Sequence, residues 1–151
     1  GTPPIAVLAQ KWYGHSVVIP PAFLWPFNPS YGIVIEEAML EEEGILEQFL
    51  MLHEKACNLI INGPLEAAGV LADEARVVDE EFVLKILSVS PRYCASLPKE
   101  YIDSSMAFIP VLQQMGYLSR GLSENEIFEF SIIKKVHPDP HHYSVPFQHP
   151  R

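Results

Sequence analysis

Acidic, imidazole and thiol side chains are the groups in this sequence whose types could support chemistry. Five glutamates lie between residues 36 and 43, close to the start of a predicted helix. Hydrolysis by paired carboxylates needs two separated acids that face one cleft. Negative charge at a helix start is favourable in any case, because it faces the positive end of the helix dipole. The pattern therefore favours a helix start over a catalytic pair, for Glu36, Glu37, Glu41, Glu42 and Glu43.

Histidines are concentrated near the C-terminal end, where residues 137–142 read HPDPHH. Imidazole and carboxylate groups are suitable zinc or nickel ligands, so His137, Asp139, His141 and His142 are candidates for metal binding. The prolines on both sides of Asp139 exclude ligation from successive helical turns. The spacing also matches no closed metal site. We therefore favour a solvated tail and expect no bound metal.

Patterns typical of nucleophilic or phosphate-binding sites are missing from the sequence. It contains no GxSxG elbow, no Cys–His family signature and no glycine-rich phosphate loop. Cys57 and Cys94 are far apart and lack CxxC spacing, so their pairing and the redox compartment stay open. Cys57 falls among apolar residues of a predicted helix, which favours a buried, inert thiol. These patterns indicate neither catalysis nor a cofactor.

Two other stretches have the character of a binding site. The opening GTPP places Gly1, Thr2 and Pro3 at a predicted helix start, where backbone N–H groups and the helix dipole suit a carboxylate or sulfonate. An ordinary helix cap explains the same residues.

The second stretch, residues 19–35, reads IPPAFLWPFNPSYGIVI and combines prolines with aromatic rings. Proline restriction lowers the entropy lost when a loop meets a ligand. A packed linker and a binding loop are equally compatible with this composition. Its candidate contact residues are Trp25, Asn28, Ser30 and Tyr31, with Phe27 beside them.

Charge and hydropathy limit the classes of partner. The formal net charge of −9 opposes binding to nucleic acid or to an anionic membrane, since both need a positive face. No apolar run approaches the roughly 18 to 20 residues needed to cross a bilayer. The printed residues show no secretory leader pattern, and we expect a processed or truncated product.

Periodicity and capping signals predict a mostly helical chain with two short strands. The strands are SVVIP at 16–20 and GIVIEE at 32–37. Helices are predicted from Thr2 to Gly14, over 44–62 and 64–75, after the Asp79 cap, after Pro98 and at a Ser123 capping box. The tail should run extended. The apolar face of the longest helix is predicted to contain Ile45, Phe49, Leu52, Ala56, Leu59 and Ile60.

Three stretches in this order resemble a known family. They are GTPPIAVLAQKWYGHSVVIPP running into LWPFNPSYGIVI; EEEGILEQFLMLHEKACNLIINGPLEAAGVLA, with an N-x-P-x-E-A-A pattern; and VVDEEFVLKILSVSPRYCASLPKEYIDSSMAFIPVLQQMGYL, with an SP-x-Y turn and a GYL end. Together they are similar to the C-terminal part of the periplasmic substrate-binding proteins of the nitrate/sulfonate/taurine and thiamine-precursor group. These are type II, two-lobed proteins that serve ABC importers.

The resemblance implies an α/β fold, a mostly helical fragment with two short strands like the C-terminal half of a type II periplasmic binding protein. Residues 1–20 would end the second lobe and 21–35 would form the hinge and crossover strand. Residues 36–130 would be the helical part of the first lobe, and 131–151 an extended tail. A fragment or one half of a split protein is expected, because family members are about twice this length.

The implied function is the solute-binding component of an ABC importer, with a small anionic or heterocyclic ligand between two lobes. The implied partners are a membrane ABC permease and either the N-terminal half or a second copy, in a periplasmic or extracytoplasmic, membrane-associated location. By position, the ligand would meet Gly1, Thr2, Pro3, Trp25, Asn28, Ser30 and Tyr31.

Two alternatives stay open. One is an enzyme on the same fold, of the type that makes thiamine pyrimidine or menaquinone precursors, with His15 as the residue to examine. The other is a helical interaction domain whose strand edge pairs with another chain, since two strands alone are marginally stable.

Overall fold

The computed structural model describes residues 2–14, 32–90 and 93–139 of the chain. This part is 71% helical and contains no β-strand. In chain order its elements are α1 (Pro3–Tyr13), a 3₁₀ helix (Glu37–Glu41), α2 (Glu43–Asn62), α3 (Pro64–Ala75), α4 (Glu80–Val89), α5 (Lys99–Gln114), α6 (Glu124–Ile127) and α7 (Ser131–Val136).

The predicted α/β class with two strands is wrong for this part of the chain, which is helical without a sheet. Residues 32–36 of the predicted strand GIVIEE have no regular structure, and Glu37 begins the 3₁₀ helix. The other predicted strand, SVVIP, lies outside the described residues. β-Branched residues favour a strand only where a neighbouring strand receives their backbone hydrogen bonds. Val34, in the middle of the run, is instead 93% exposed.

The helix boundaries follow the predicted capping signals closely. Gly14 ends α1 in the left-handed conformation, with φ of 67°. The Asp79 carboxylate accepts the backbone N–H of Phe82 at 2.8 Å, which caps α4. Ser123 and Glu126 form the predicted capping box at α6. Each boundary is therefore fixed by one or two local residues, which is why the sequence indicates it.

One helix is an addition to the predicted set. Residues 131–151 were expected to run extended, but Ser131–Val136 form α7, and its residues Ile132 and Ile133 are buried. The backbone N–H of His137 closes this helix by donating to the Ile133 carbonyl at 2.8 Å. Six residues are too few for periodicity to reveal a helix.

The chain divides into two compact units, and α2 runs from one into the other. Of the described residues, 2–14 and 55–90 belong to the first unit. Its core lies between α3 and α4, and α1 contacts α4. Ala67 and Ala68 have almost no exposed surface, so their small side chains allow α3 and α4 to approach closely. The buried residues of this core are Ala67, Ala68, Val83 and Leu87.

The second unit contains residues 32–54 and 93–139 of the described chain. Tyr101 and Ile102, in the first turn of α5, are buried, as is Leu46 of α2. The ring of Phe128 meets Tyr101 edge-on, with centroids 6.4 Å apart. The predicted division of the chain at residues 20, 35 and 130 stays a prediction.

The predicted buried face of α2 is wrong over its first half. Ile45, Phe49 and Leu52 are 56%, 49% and 63% exposed, and Ala56 is also exposed. Leu46 and Cys57 are buried instead, so the predicted burial of Cys57 is confirmed. The helix has apolar side chains on more than one side, and spacing alone does not say which side meets a core.

Removal of the Asp79 cap should destabilise the first unit. The Asp79→Ala variant leaves the N–H of Phe82 without its side-chain acceptor, which we expect to lower the free energy of unfolding by about 1 kcal/mol in urea denaturation. Asp79→Asn is the matched control, because it keeps an acceptor at the cap and should stay within about 0.5 kcal/mol of the parent. Equal losses in both variants would show that the carboxylate acts through its charge.

Candidate functional site

Most residues predicted to contact a ligand lie outside the described part of the chain. Gly1, Trp25, Asn28, Ser30 and Tyr31 are in this group, as is His15 of the enzymatic alternative. That these side chains meet at one ligand site stays a prediction.

Thr2 and Pro3 are described, and they form the start of α1. Thr2 is exposed at the N-cap but makes no capping bond with its side chain, although its carbonyl accepts the N–H of Ala6 at 3.1 Å. Pro3 and Pro4 have no N–H group. Beyond Thr2 itself, the first turn can therefore offer an anion at most the N–H of Ile5. This leaves a weaker anion site than the opening sequence indicates.

A different group of polar side chains comes together in the second unit, around His137. His137 is buried, so the expected solvated position in the tail is wrong for this residue. Its Nε2 atom lies 3.3 Å from Cys94 Sγ and 3.4 Å from Glu54 Oε2. The Cys94 thiol and the Glu54 carboxylate thus both lie close to the same ring nitrogen of His137.

Two elements and one connecting segment position these groups. His137 follows the last turn of α7, Glu54 lies on α2, and Cys94 belongs to the segment that leads into α5. An ion pair between Lys135 of α7 and Glu47 of α2 joins the same two helices two turns away. Two contacts, Lys135 with Glu47 and His137 with Glu54, therefore join this end of the chain to α2.

Cys94 has a second polar neighbour. Its Sγ atom lies 2.9 Å from the hydroxyl of Ser96, which is buried. Cys94 itself is partly exposed, whereas the other cysteine, Cys57, is buried. A hydroxyl and an imidazole N–H can both donate to a thiolate, and such donors favour the charged form of a thiol.

A small cavity lies beside this group. Its volume is about 90 Å³, and Ser96 and His137, the two neighbours of Cys94, both line it. A water molecule occupies about 30 Å³ in the liquid, so the space suits a molecule of a few heavy atoms. Lys134 adds positive charge to the wall. The full lining is Ser96, Leu97, Pro98, Phe130, Ile133, Lys134, His137 and Pro138.

The group does not have the arrangement of a metal centre. Within residues 2–14, 32–90 and 93–139, no three His, Cys, Asp or Glu side chains are placed to hold a metal ion. His141 and His142 of the HPDPHH tract lie outside these ranges. The cluster is therefore interpreted as a thiol–imidazole pair with an adjacent carboxylate.

Sequence reasoning missed this cluster because its parts are far apart in the chain. Cys94 and His137 are separated by 43 positions, and no short motif connects them. A weak local signal exists, since His137 lies four residues after the apolar Ile133 and so falls on the same side of a helix. That signal indicates burial of the imidazole, but it does not identify its partner.

Comparisons of the chain with protein-family models, with curated proteins and with solved structures gave no match. No helix within the described residues is long and apolar enough to span a bilayer.

The neighbouring His53 should make the stability of the chain depend on pH. Burial lowers the pKa of His53 from its usual 6.5, and the Glu54 carboxylate opposes that shift. The unfolded chain therefore takes up a proton at His53 before the folded chain does. Stability should be retained above pH 6.5 and fall as the pH drops from there towards the folded pKa.

The test is denaturant unfolding of the parent and His53→Gln between pH 8 and pH 5. Glutamine stays neutral, so the midpoint of the variant should fall less over this range. Above pH 7 the two curves should run parallel. Parallel curves over the whole range would contradict a lowered His53 pKa.

Proposed function

We propose that this chain is part of the solute-binding component of an ABC importer and holds a small anionic or heterocyclic ligand by non-covalent contacts. The support is the ordered resemblance of three stretches to the nitrate/sulfonate/taurine and thiamine-precursor binding proteins. The partners in this proposal are a membrane ABC permease and the remainder of the two-lobed protein, outside the cytoplasm.

The observation that supports this proposal best is where the resembling motifs fall in the structure. Asn62 ends α2, Pro64 begins α3, and the two alanines of N-x-P-x-E-A-A pack in the core of the first unit. The proline and the two alanines of the motif therefore have a physical reason for their identity.

The glycine of the GYL motif has a structural role at the end of α5. Gly116 adopts φ of 80°, a left-handed conformation that favours glycine. This turn lets the N–H groups of Tyr117 and Leu118 donate to the Leu112 carbonyl, at 2.9 and 3.3 Å. The helix stop thus depends on the glycine that the motif contains.

The proposal does not keep the two-stranded fold, which the structure corrects. It places ligand contact on the segment that contains Trp25, Asn28, Ser30 and Tyr31. Gly1, Thr2 and Pro3 are further contacts in this proposal. The mechanism in this proposal is closure of two lobes about the crossover, which hides the ligand from water and presents a closed shape to the permease.

The two tryptophans of the chain allow a direct test of this segment. Trp12→Phe removes an exposed indole of α1 and leaves Trp25 as the remaining tryptophan, which can be excited selectively at long wavelength. We expect nitrate, an alkyl sulfonate or a pyrimidine to change its emission saturably. Trp25→Phe should raise the Kd in calorimetry by about tenfold or more, which corresponds to about 1.4 kcal/mol. Trp12→Phe is the matched control and should bind like the parent. Equal affinity of both variants would remove Trp25 from the site.

A helical interaction domain is a second candidate, and the exposed side of α2 favours it. Ile45, Phe49 and Leu52 recur at helical spacing on one side and are about half exposed or more. A row of large apolar residues in contact with water is typical of a surface that another chain covers.

For this candidate the partner to test first is a second copy of the chain. Light scattering after size exclusion should then show a dimer whose fraction rises with concentration, and Phe49→Ser should make it monomeric. The control Gln48→Ser changes a neighbouring position and should leave the dimer intact. A parent chain that stays monomeric at high concentration would contradict this candidate.

A further inference from the structure

The two cysteines of the chain lie in very different surroundings. Cys57 is buried within α2, and Cys94 is partly exposed beside an imidazole and a hydroxyl. Reactive cysteines are typically accessible and close to a positive group, whereas buried cysteines in apolar surroundings are inert. The chain thus contains a candidate reactive thiol and an internal reference for it.

We propose that Cys94 is a modification site, a thiol that His137 activates for oxidation by small hydroperoxides. This inference rests on the cluster around His137 and is independent of solute binding.

The proton of the Cys94 thiol has an acceptor in place. His137 Nε2 lies 3.3 Å from Sγ, within the range of a hydrogen bond that involves sulfur. Proton transfer to this nitrogen leaves a thiolate next to an imidazolium. The Ser96 hydroxyl, 2.9 Å from Sγ, can then donate to the thiolate as well.

A carboxylate also faces the ring nitrogen of His137. Glu54 Oε2 lies 3.4 Å from the same Nε2 atom, so a proton there faces a carboxylate as well as the sulfur. Without a proton, the lone pair of Nε2 would face the negative charge of the Glu54 carboxylate. Lys134, on the cavity wall, supplies a positive charge that favours an anion in the same region.

Space for a small oxidant lies beside Ser96 and His137, the two polar neighbours of the sulfur. The cavity that Ser96 and His137 line measures about 90 Å³, which is enough for hydrogen peroxide. The site therefore suits hydroperoxides of a few heavy atoms.

The reaction transfers two electrons from sulfur to the peroxide. The Cys94 thiolate attacks one peroxide oxygen, an S–O bond forms and the O–O bond breaks. The leaving hydroxide or alkoxide takes a proton from the His137 imidazolium and departs as water or an alcohol. The sulfur is left as sulfenic acid, which a thiol can reduce again.

The experiment compares the reactivity of Cys94 in the 151-residue chain with that of matched variants. A Cys57→Ala background leaves a single thiol. Iodoacetamide alkylation at pH 6.5 reports the thiolate, and hydrogen peroxide with a dimedone trap reports sulfenic acid, both by intact mass. A thiol that has passed its proton to His137 contributes more thiolate at this pH than a free thiol, whose pKa is about 8.5. Allowing for the lower nucleophilicity of such a thiolate, the rate should rise roughly threefold over a free thiol.

Two uncharged variants, His137→Gln and Glu54→Gln, separate activation of the thiol from its mere exposure. His137→Gln should reduce alkylation at pH 6.5 to the rate of a free thiol, and Glu54→Gln should reduce it in part. In both variants the pH at which the rate is half-maximal should move up towards 8.5. Exposure alone would leave this midpoint unchanged. Ser96→Ala keeps His137 and Glu54 but removes one hydrogen-bond donor to the sulfur. It should therefore lower the alkylation rate of Cys94. This variant replaces either of the others if circular dichroism shows that one has unfolded.

Several outcomes would overturn the proposal. The first is a Cys94 midpoint at the usual value in the parent. The second is an unchanged midpoint in a folded His137→Gln variant. The third is the absence of a dimedone adduct on Cys94 at peroxide concentrations that oxidise a free thiol.

Discussion

A helix satisfies its backbone hydrogen bonds from its own residues, whereas a strand needs a neighbour. This difference between helix and strand explains the secondary structure of the described part of the chain. Its helices begin and end at local signals such as Asp79, Pro64 and Gly116, and each closes its own ladder. Residues 32–36 have the β-branched composition of a strand, but no described segment forms a ladder with them. The backbone of this run accordingly has no regular structure.

Polar contacts near His137 join segments that are far apart in the chain. The buried imidazole meets Glu54 of α2 and Cys94 of the segment before α5, and Lys135 pairs with Glu47 nearby. Electrostatic interactions are stronger where water is excluded, so a buried imidazole responds strongly to its neighbours. The contacts that join α7 and the following residue, His137, to α2 therefore also form the surroundings of the Cys94 thiol.

The helices could largely be predicted from the sequence, because caps, prolines and glycines act within a few residues. The bounds of α3 and the caps of α4 and α6 are examples. The buried side of α2 could not, since Ile45, Phe49 and Leu52 match the helical period as well as Leu46 does. Burial depends on which other elements pack there, and periodicity contains no such information. The Cys94–His137 pair escaped prediction for the same reason, as it forms only when distant segments meet.

The proposed function depends on a ligand that fits the aromatic segment around Trp25, and calorimetry tests it most directly. The chain is titrated with nitrate, alkyl sulfonates and pyrimidines after circular dichroism has shown that it is folded. Solute binding requires saturable heat with one of these classes, at one ligand per chain, and an increase in melting temperature with the same ligand. A folded chain that gives neither heat nor a shift with any of them would contradict the solute-binding proposal.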